Sequence, residues 1–401
     1  MTEAVVVGPA DVAAAADGLH GIVHRTPVLN STALTALAGG RVALKCENLQ
    51  RAGSFKIRGA YWRMSRLSEA EKSAGVVAAS AGNHAQGVAL AARLLGIRST
   101  VFMPQGAALP KVAATKEYGA SVVLAGATVD EALGLARERA AADGAVLIHP
   151  FDHADVVAGQ GTVGAEILEQ VPDVRTILVP MGGGGLAAGI VAATLGRDVE
   201  VVGVQAAGAA CWPTSLATGR PIALDAMSTM ADGIAIGRPG DVPFAVLHDH
   251  VTVRTVSEEH LSRALLHVAE RSKMLAEPAG AAGVAALLAG VEVATPAVVV
   301  LSGGNIDPLL LLRVVRHGLA AAGRYLQARV RVDDRPGTLA ALLAELAASG
   351  GNVMHVGHVR TAVDLAVDEV EIEVQVETRG PDHCAEVVER LRDAGYRVSV
   401  G

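Results

Sequence analysis

Between residues 42 and 301, short apolar runs of strand length alternate with stretches of helix length, and few folds accept that pattern. Strands are predicted at 42–46, 76–79, 100–103, 121–124, 146–148, 177–180, 199–204 and 298–301. Most are almost wholly Val, Leu, Ile and Ala, as expected for strands covered on both faces. Helices are predicted at 9–20, from Ser54 to about Leu67, from His84 to about Leu95, and at 110–118, 128–142, 257–273, 278–290 and 307–322. Alternation of this kind argues an α/β architecture of parallel sheets covered by helices. Ligands in such sheets sit beyond the carboxyl ends of the strands. Ser80-Ala81-Gly82-Asn83-His84, Met181-Gly182-Gly183-Gly184-Gly185 and Ser302-Gly303-Gly304-Asn305 all fall at strand ends, so they are expected around one crevice.

The pattern restarts after Gly323. Leu326, Ala328, Val330 and Val332 alternate with polar residues, as do Val370, Ile372, Val374 and Val376, so both runs read as half-buried strands. With strands at 353–359 and 396–400 and helices at about 334–349 and 381–393, the order is βαββαβ, a ferredoxin-like α+β module. The expected domains are therefore 1–322, with two α/β subdomains, and 323–401.

Composition narrows the function. At 51% hydrophobic and 19% charged, the chain has the makings of a large packed core. A net charge of -7 and 2% aromatic residues disfavour nucleic-acid binding. The longest uncharged run, 176–196, is broken by Pro180 and four glycines, so it reads as strand, loop and helix rather than a membrane span. Acidic Glu3 and the absence of a basic N-terminal region argue against a secretory signal. Cys46, Cys211 and Cys384 are far apart and lack metal spacing, which suits free thiols and a cytoplasmic location.

Chemistry concentrates in two places. Gly182, Gly183, Gly184 and Gly185, between a strand and a helix, are suited to cradle a phosphate on bare backbone N–H groups. The same glycines with Ala187 match a weak dinucleotide fingerprint. That reading wants an acid where Gln205 stands, and it leaves Lys56 without a task. Lys56 lies in Arg51-Ala52-Gly53-Ser54-Phe55-Lys56-Ile57-Arg58-Gly59-Ala60, with Ser54 as the expected N-cap. A cation in a first helical turn, near Arg51 and Arg58, is pushed toward its neutral, nucleophilic amine. A solvated surface lysine is the competing reading. An amine paired with a phosphate cradle is what a pyridoxal phosphate enzyme needs.

At this point a resemblance becomes specific. G-S-F-K-I-R-G-A at 53–60, A-S-A-G-N-H-A-Q-G at 79–87, H-P-F-D at 149–152, G-Q-G-T at 159–162, G-G-G-G-L at 182–186 and S-G-G-N at 302–305 follow in order. Together they resemble the threonine ammonia-lyases (threonine dehydratases), fold-type II pyridoxal-phosphate enzymes of the tryptophan synthase β class. D-R-P-G-T-L at 334–339, G-N-V at 351–353 and V-E-T-R-G at 376–380 resemble a regulatory ACT domain. The resemblance implies that Lys56 bonds the cofactor, with Phe55 beside its ring, Asn83 on the ring hydroxyl, Gly182–Gly185 on the phosphate and Ser302 facing the pyridine nitrogen. It implies substrate carboxylate on the backbone of Ser80, Ala81, Gly82, Asn83 and His84, and Glu277 near the cofactor. Taken singly, Ser80 and Ser302 read equally as helix caps, Asn83 as a turn residue, and Glu277 as an acid ahead of a helix starting at Pro278.

The implied activity is β-elimination and deamination of L-threonine to 2-oxobutanoate and ammonia, with serine as a side substrate. A branched-chain amino acid is the expected effector at the C-terminal module, which otherwise reads as a dimerisation domain; a homo-oligomer, dimer or tetramer, is expected. Serine racemase is the nearest rival. Its second proton donor would stand where Ala81 is, and its divalent-metal site would fall on Gln205, Ala209 and Cys211, so no metal is predicted there. A non-catalytic amino-acid sensor and a nicotinamide-dependent oxidoreductase are the alternatives from other classes.

Overall fold

The structure is a computed structural model that describes residues 7–360 and 365–400. The chain forms two compact units, Met1–Pro308 and Leu309–Gly401. In chain order the strands of the first are β1 (Val28–Asn30), β2 (Val42–Cys46), β3 (Val76–Ala79), β4 (Ser99–Met103), β5 (Ser121–Leu124), β6 (Val146–Leu147), β7 (Thr176–Pro180), β8 (Glu200–Ala206), β9 (Thr252–Val256) and β10 (Ala297–Leu301). They make a sheet ordered β1-β2-β10-β7-β8-β9 and a second ordered β5-β4-β3-β6. Every pairing is parallel except that of β1 with β2. β2, β3, β7 and β10 are buried along their whole length, which is why their sequences lack alternation.

The eight predicted strands all form. β1 falls on the stretch 25–29, whose sequence reads as extended, whereas β9 is an addition; both are edge strands, and β9, Thr-Val-Arg-Thr-Val, carries polar residues because one side faces solvent. The helix predicted at 257–273 runs as α-helix over Glu258–His267 and then widens to a π-turn at Val268–Ser272. It stops at Lys273, which is held at φ +57°. The helix predicted from Pro278 forms only over Ala282–Leu288. Glu277 N–H donates to Gly303 O at 3.0 Å, and that tether holds the start of the segment in a turn.

Glycines let three helices meet almost backbone to backbone. The helix Ala154–Gln170 packs against Lys56–Ser65 on one side and Gly185–Thr194 on the other. A Cβ on Gly159 would stand 2.7 Å from Gly59 Cα, and one on Gly189 would stand 2.5 Å from Val157 O. This close packing sets the spacing between the helix that begins at Lys56 and the helix that begins at the tetraglycine.

The second unit has β11 (Tyr325–Asp333), β12 (Asn352–Val359), β13 (Glu369–Glu377) and β14 (Arg397–Val400) in one antiparallel sheet, ordered β12-β13-β11-β14. Residues of β11 and β13 alternate between buried and more accessible, as the sequence predicts. Their inner face, with Leu326, Val330, Ile372 and Val374, packs with Leu342, Leu346, Val387 and Leu391 of the helices Thr338–Ala348 and Pro381–Asp393. The result is a ferredoxin-like α+β unit, an architecture consistent with an ACT-like domain.

Candidate active site

Lys56 follows β2 and is the first residue of the helix Lys56–Ser65. Ser54 does not cap that helix, contrary to expectation. Phe55 occupies the cap position without a side-chain bond, while Ser54, fully buried, forms an antiparallel bridge with Gly303. Phe55 N–H donates to Ser302 O at 3.2 Å, and Gly304 N–H donates to Gly53 O at 2.9 Å. Strand-like pairing wins over capping here because it satisfies backbone groups on both segments. The lysine and the loop after β10 are thereby tied together, and Ser54 Oγ is left without a partner.

The half-buried Lys56 amine donates to Pro150 O at 3.0 Å and lies 5.1 Å from the centre of the Phe55 ring. Burial lowers its pKa to about 8, against the pull of the Glu277 charge. The expected cause, repulsion from the helix start and from Arg51 and Arg58, is replaced by desolvation. Arg58 is wholly buried, and its guanidinium forks onto Glu47 at 2.8 Å and reaches Glu166 at 2.7 Å. Lys45, inside β2, shares Glu166 and donates to Thr26 O and Gln170. These charges compensate one another beneath the lysine helix and leave Lys56 outside the network.

A second cluster joins the loops after β3 and β10. Asn83 Nδ2 donates to Glu277 Oε1 at 2.5 Å, and Asn305 Nδ2 donates to Asn83 Oδ1 at 2.8 Å and to Ala52 O at 2.7 Å. A side chain on Gly303 would collide with Glu277 Oε1, so glycine is what admits the acid. Glu277 is 3% exposed. Burial, then the nearby Asp232 charge, raises its carboxyl to about 7, while Lys111, Asn83 and Lys56 oppose the rise. Ser80 Oγ accepts from Gly82 N–H at 3.1 Å, closing a turn rather than capping the helix Asn83–Leu95, whose cap position is Gly82. The N–H groups of that helix's first turn have no intrahelical acceptor. The His84 ring points away into the core, 2.8 Å from Ile148 O, and burial lowers its pKa to about 3. Ala81 is half-buried in the same loop.

The tetraglycine follows β7 as expected. Gly184 takes the cap position of the helix Gly185–Thr194 at φ +97°, a conformation open to glycine. A Cβ on Gly183 would stand 2.5 Å from the Phe151 ring. Ser302 is 3% exposed, and no protein group among the described residues bonds its hydroxyl. The lysine with its lowered pKa, the unencumbered N–H groups and the unpaired hydroxyl together fit the aldehyde, phosphate and ring nitrogen of pyridoxal phosphate.

Asn305, Pro150, Lys111 and Asp232 had no assigned role in the sequence reading. Lys111 pairs with Asp232, and its ammonium lies 3.7 Å from where a Gly82 Cβ would stand. Asn305 carried a signal as the last residue of a strand-end loop, and Pro150 as part of H-P-F-D; Lys111 and Asp232 carried none. His149, His153 and His248 do local work: His149 Nδ1 accepts from Asp152 N–H, His153 caps the helix Ala154–Gln170, and His248 stacks on Phe244. Gln205 donates to Ala209 O at 3.3 Å and to Cys211 Sγ at 3.7 Å. Among the described residues no group of three or more His, Cys, Asp or Glu is placed to hold a metal, and no helix is long and apolar enough to cross a membrane.

A family model described as "Pyridoxal-phosphate dependent enzyme" matches residues 19–303. The chain is 43% identical over 394 residues to the L-threonine ammonia-lyase of Thermotoga maritima, covering 97% of this chain and 98% of that protein. It is 45% identical over 391 residues to the L-threonine ammonia-lyase of Geobacter sulfurreducens, covering 96% and 97%. The solved structure of maize serine racemase is similar with a TM-score of 0.73 at 35% identity, over 79% of this chain and 99% of that one.

Proposed function

This chain belongs to the pyridoxal-phosphate-dependent enzyme family, and from that premise we propose that it is a threonine ammonia-lyase, converting L-threonine to 2-oxobutanoate and ammonia. The observation that carries the residue assignments is that Lys56, the tetraglycine and Ser302, distant in sequence, lie on the segments that leave the carboxyl ends of β2, β7 and β10 in one sheet. Pyridoxal phosphate, when bound, supplies the electron sink that makes the α-proton of the amino acid acidic.

Lys56 Nζ is the base for that proton. Its depressed pKa keeps a usable neutral fraction near neutral pH, and Pro150 O orients the amine. The N–H groups of Gly182–Gly185 hold the phosphate. Asn83, clamped between Glu277 and Asn305, presents its amide to the ring hydroxyl. The start of the helix Asn83–Leu95, with the turn from Ser80 through Ala81 and Gly82 to His84, receives the substrate carboxylate; Lys111 adds positive charge beside it. Phe55, beside the Lys56 amine, would flank the ring. The Ser302 hydroxyl can donate to the pyridine nitrogen but cannot hold it protonated as a carboxylate would. With Ser302 rather than an acid at that place, the site would suit elimination, in which negative charge departs promptly with the β-hydroxyl.

Serine, which lacks one methyl, is turned over as a side substrate. Ala81 has no transferable proton to deliver to the opposite face, which argues against the racemase reading raised by the maize neighbour. The C-terminal unit is a regulator that responds to a branched-chain amino acid, in a cytoplasmic homo-oligomer. Steady-state kinetics test these points together. Lys56→Ala is expected to abolish turnover of threonine and serine, and isoleucine or valine to change kcat or KM of the unaltered enzyme. Near-normal rates in the variant would overturn the assignment of the base, and unchanged parameters would remove the effector.

A further inference from the structure

A peptide unit is rigid and planar, with its C=O and N–H pointing opposite ways. Whatever holds the carbonyl of one glycine therefore aims the N–H of the next. Gly184 O is taken by Ala188 N–H in the helix that follows, and two further carbonyls of the tetraglycine are held from outside that helix. Trp212 Nε1–H donates to Gly182 O at 2.7 Å, and Gly240 N–H donates to Gly183 O at 3.0 Å. The N–H groups on the far sides of those two planes, Gly183 and Gly184, have no protein acceptor among the described residues.

Trp212 is itself fixed from several directions. It is fully buried, its backbone N–H donates to Gln205 Oε1 at 3.0 Å, and its ring stacks on Phe244 with centroids 5.8 Å apart. The edge of its indole lies where a side chain on Gly184 would be. A large buried aromatic in this place packs well with any apolar ring. The N–H pointing at the loop carbonyl is the part that packing does not require.

We propose that Trp212 is a positioning residue for the cofactor phosphate: its indole N–H fixes the Gly182–Gly183 peptide plane so that Gly183 N–H faces the anion. This rests on the reading of the tetraglycine as the phosphate cradle. Trp212 acts through the loop: its indole N–H bonds Gly182 O, so its effect is expected at the phosphate end of the cofactor.

The test compares pyridoxal phosphate with pyridoxal, which lacks the phosphate, by absorbance titration of cofactor-stripped full-length protein. Trp212→Phe keeps an aromatic ring and removes the donor. It is expected to weaken pyridoxal phosphate binding by about fivefold to tenfold, as loss of one orienting hydrogen bond would, with pyridoxal binding unchanged. The phosphorus-31 resonance of the bound phosphate should shift in the same variant. Equal weakening for both ligands, or no weakening for either, overturns the inference. Gly184→Ala separates it from the reading beneath it. If that variant keeps the full preference for the phosphorylated ligand, the cradle assignment fails and the inference with it. If it loses the preference while Trp212→Phe retains it, the inference about Trp212 alone fails. Should Trp212→Phe not fold, the benzothienyl analogue of tryptophan at 212, with sulfur in place of N–H, carries the same comparison.

Discussion

At the scale of single residues, the site rests on two ionisable groups held away from their ordinary pKa values by burial. Lys56 is moved down to about 8 and Glu277 up to about 7. The two shifts bring both groups to partial charge near neutral pH, where each can hold or release a proton. Glu277 has a consequence for stability. Its folded pKa lies above the unfolded value of 4.5, so the favourable term is complete below about pH 4.5 and is lost as pH rises through about 7. By pH 8 the buried carboxylate costs the cofactor-free protein about 3 kcal/mol. Glu277→Gln keeps an acceptor for Asn83 and removes the charge. Urea unfolding of cofactor-free protein should find the variant more stable than the parent at pH 8, with the gain shrinking toward pH 5.5. A gain that is the same at both pH values would show that the carboxyl does not titrate in this way.

At the scale of elements, the helix Ala154–Gln170 is the spacer between the helix that begins at Lys56 and the helix that begins at the tetraglycine. Gly59 with Gly159, and Gly161 with Gly189, are the contact points. Gly189→Ala would push a methyl against Val157 O, which is helix backbone and cannot swing aside. A loss of about 3 kcal/mol is expected from such overpacking. Pyridoxal phosphate affinity should fall with it, because Gly189 lies in the helix that opens at the proposed phosphate cradle. Denaturation and cofactor titration of the variant read the two effects separately. The buried ionic network follows a related logic. Arg58 and Lys45 reach Glu47 and Glu166 from different elements, so removing one acid would strand a charge in the core.

For the whole molecule, each unit has its own core. Val179, Ile190, Trp212 and Val300 belong to one in the first unit; Val330, Leu342, Ile372 and Leu391 belong to the core of the second. Two cores in one chain leave the two-state approximation without its basis. Urea unfolding followed by the fluorescence of Trp62 and Trp212, both in the first unit, should part from unfolding followed by total helicity. Pyridoxal phosphate should shift only the transition seen by tryptophan. Coincident curves with and without cofactor would mean that the units unfold as one.

Much of this was legible in the chain because the information was local. Parallel strands buried on both faces announce themselves as uninterrupted apolar runs, and the alternating β11 and β13 announce an open antiparallel sheet. Glycines and polar residues at the strand ends, with one lysine, were enough to propose the cofactor chemistry. Tertiary structure decided what depends on partners distant in sequence. Ser54 gives up a cap because Gly303 arrives beside it. Lys56 loses its proton more readily because it is desolvated, while Arg58 is taken up by Glu47 and Glu166. Asn305 and Trp212 acquire tasks only when β10 and the segment after β8 bring them to the loops they hold. Periodicity and propensity act within one stretch of chain, whereas desolvation and the aim of a peptide plane depend on what the rest of the fold packs against it.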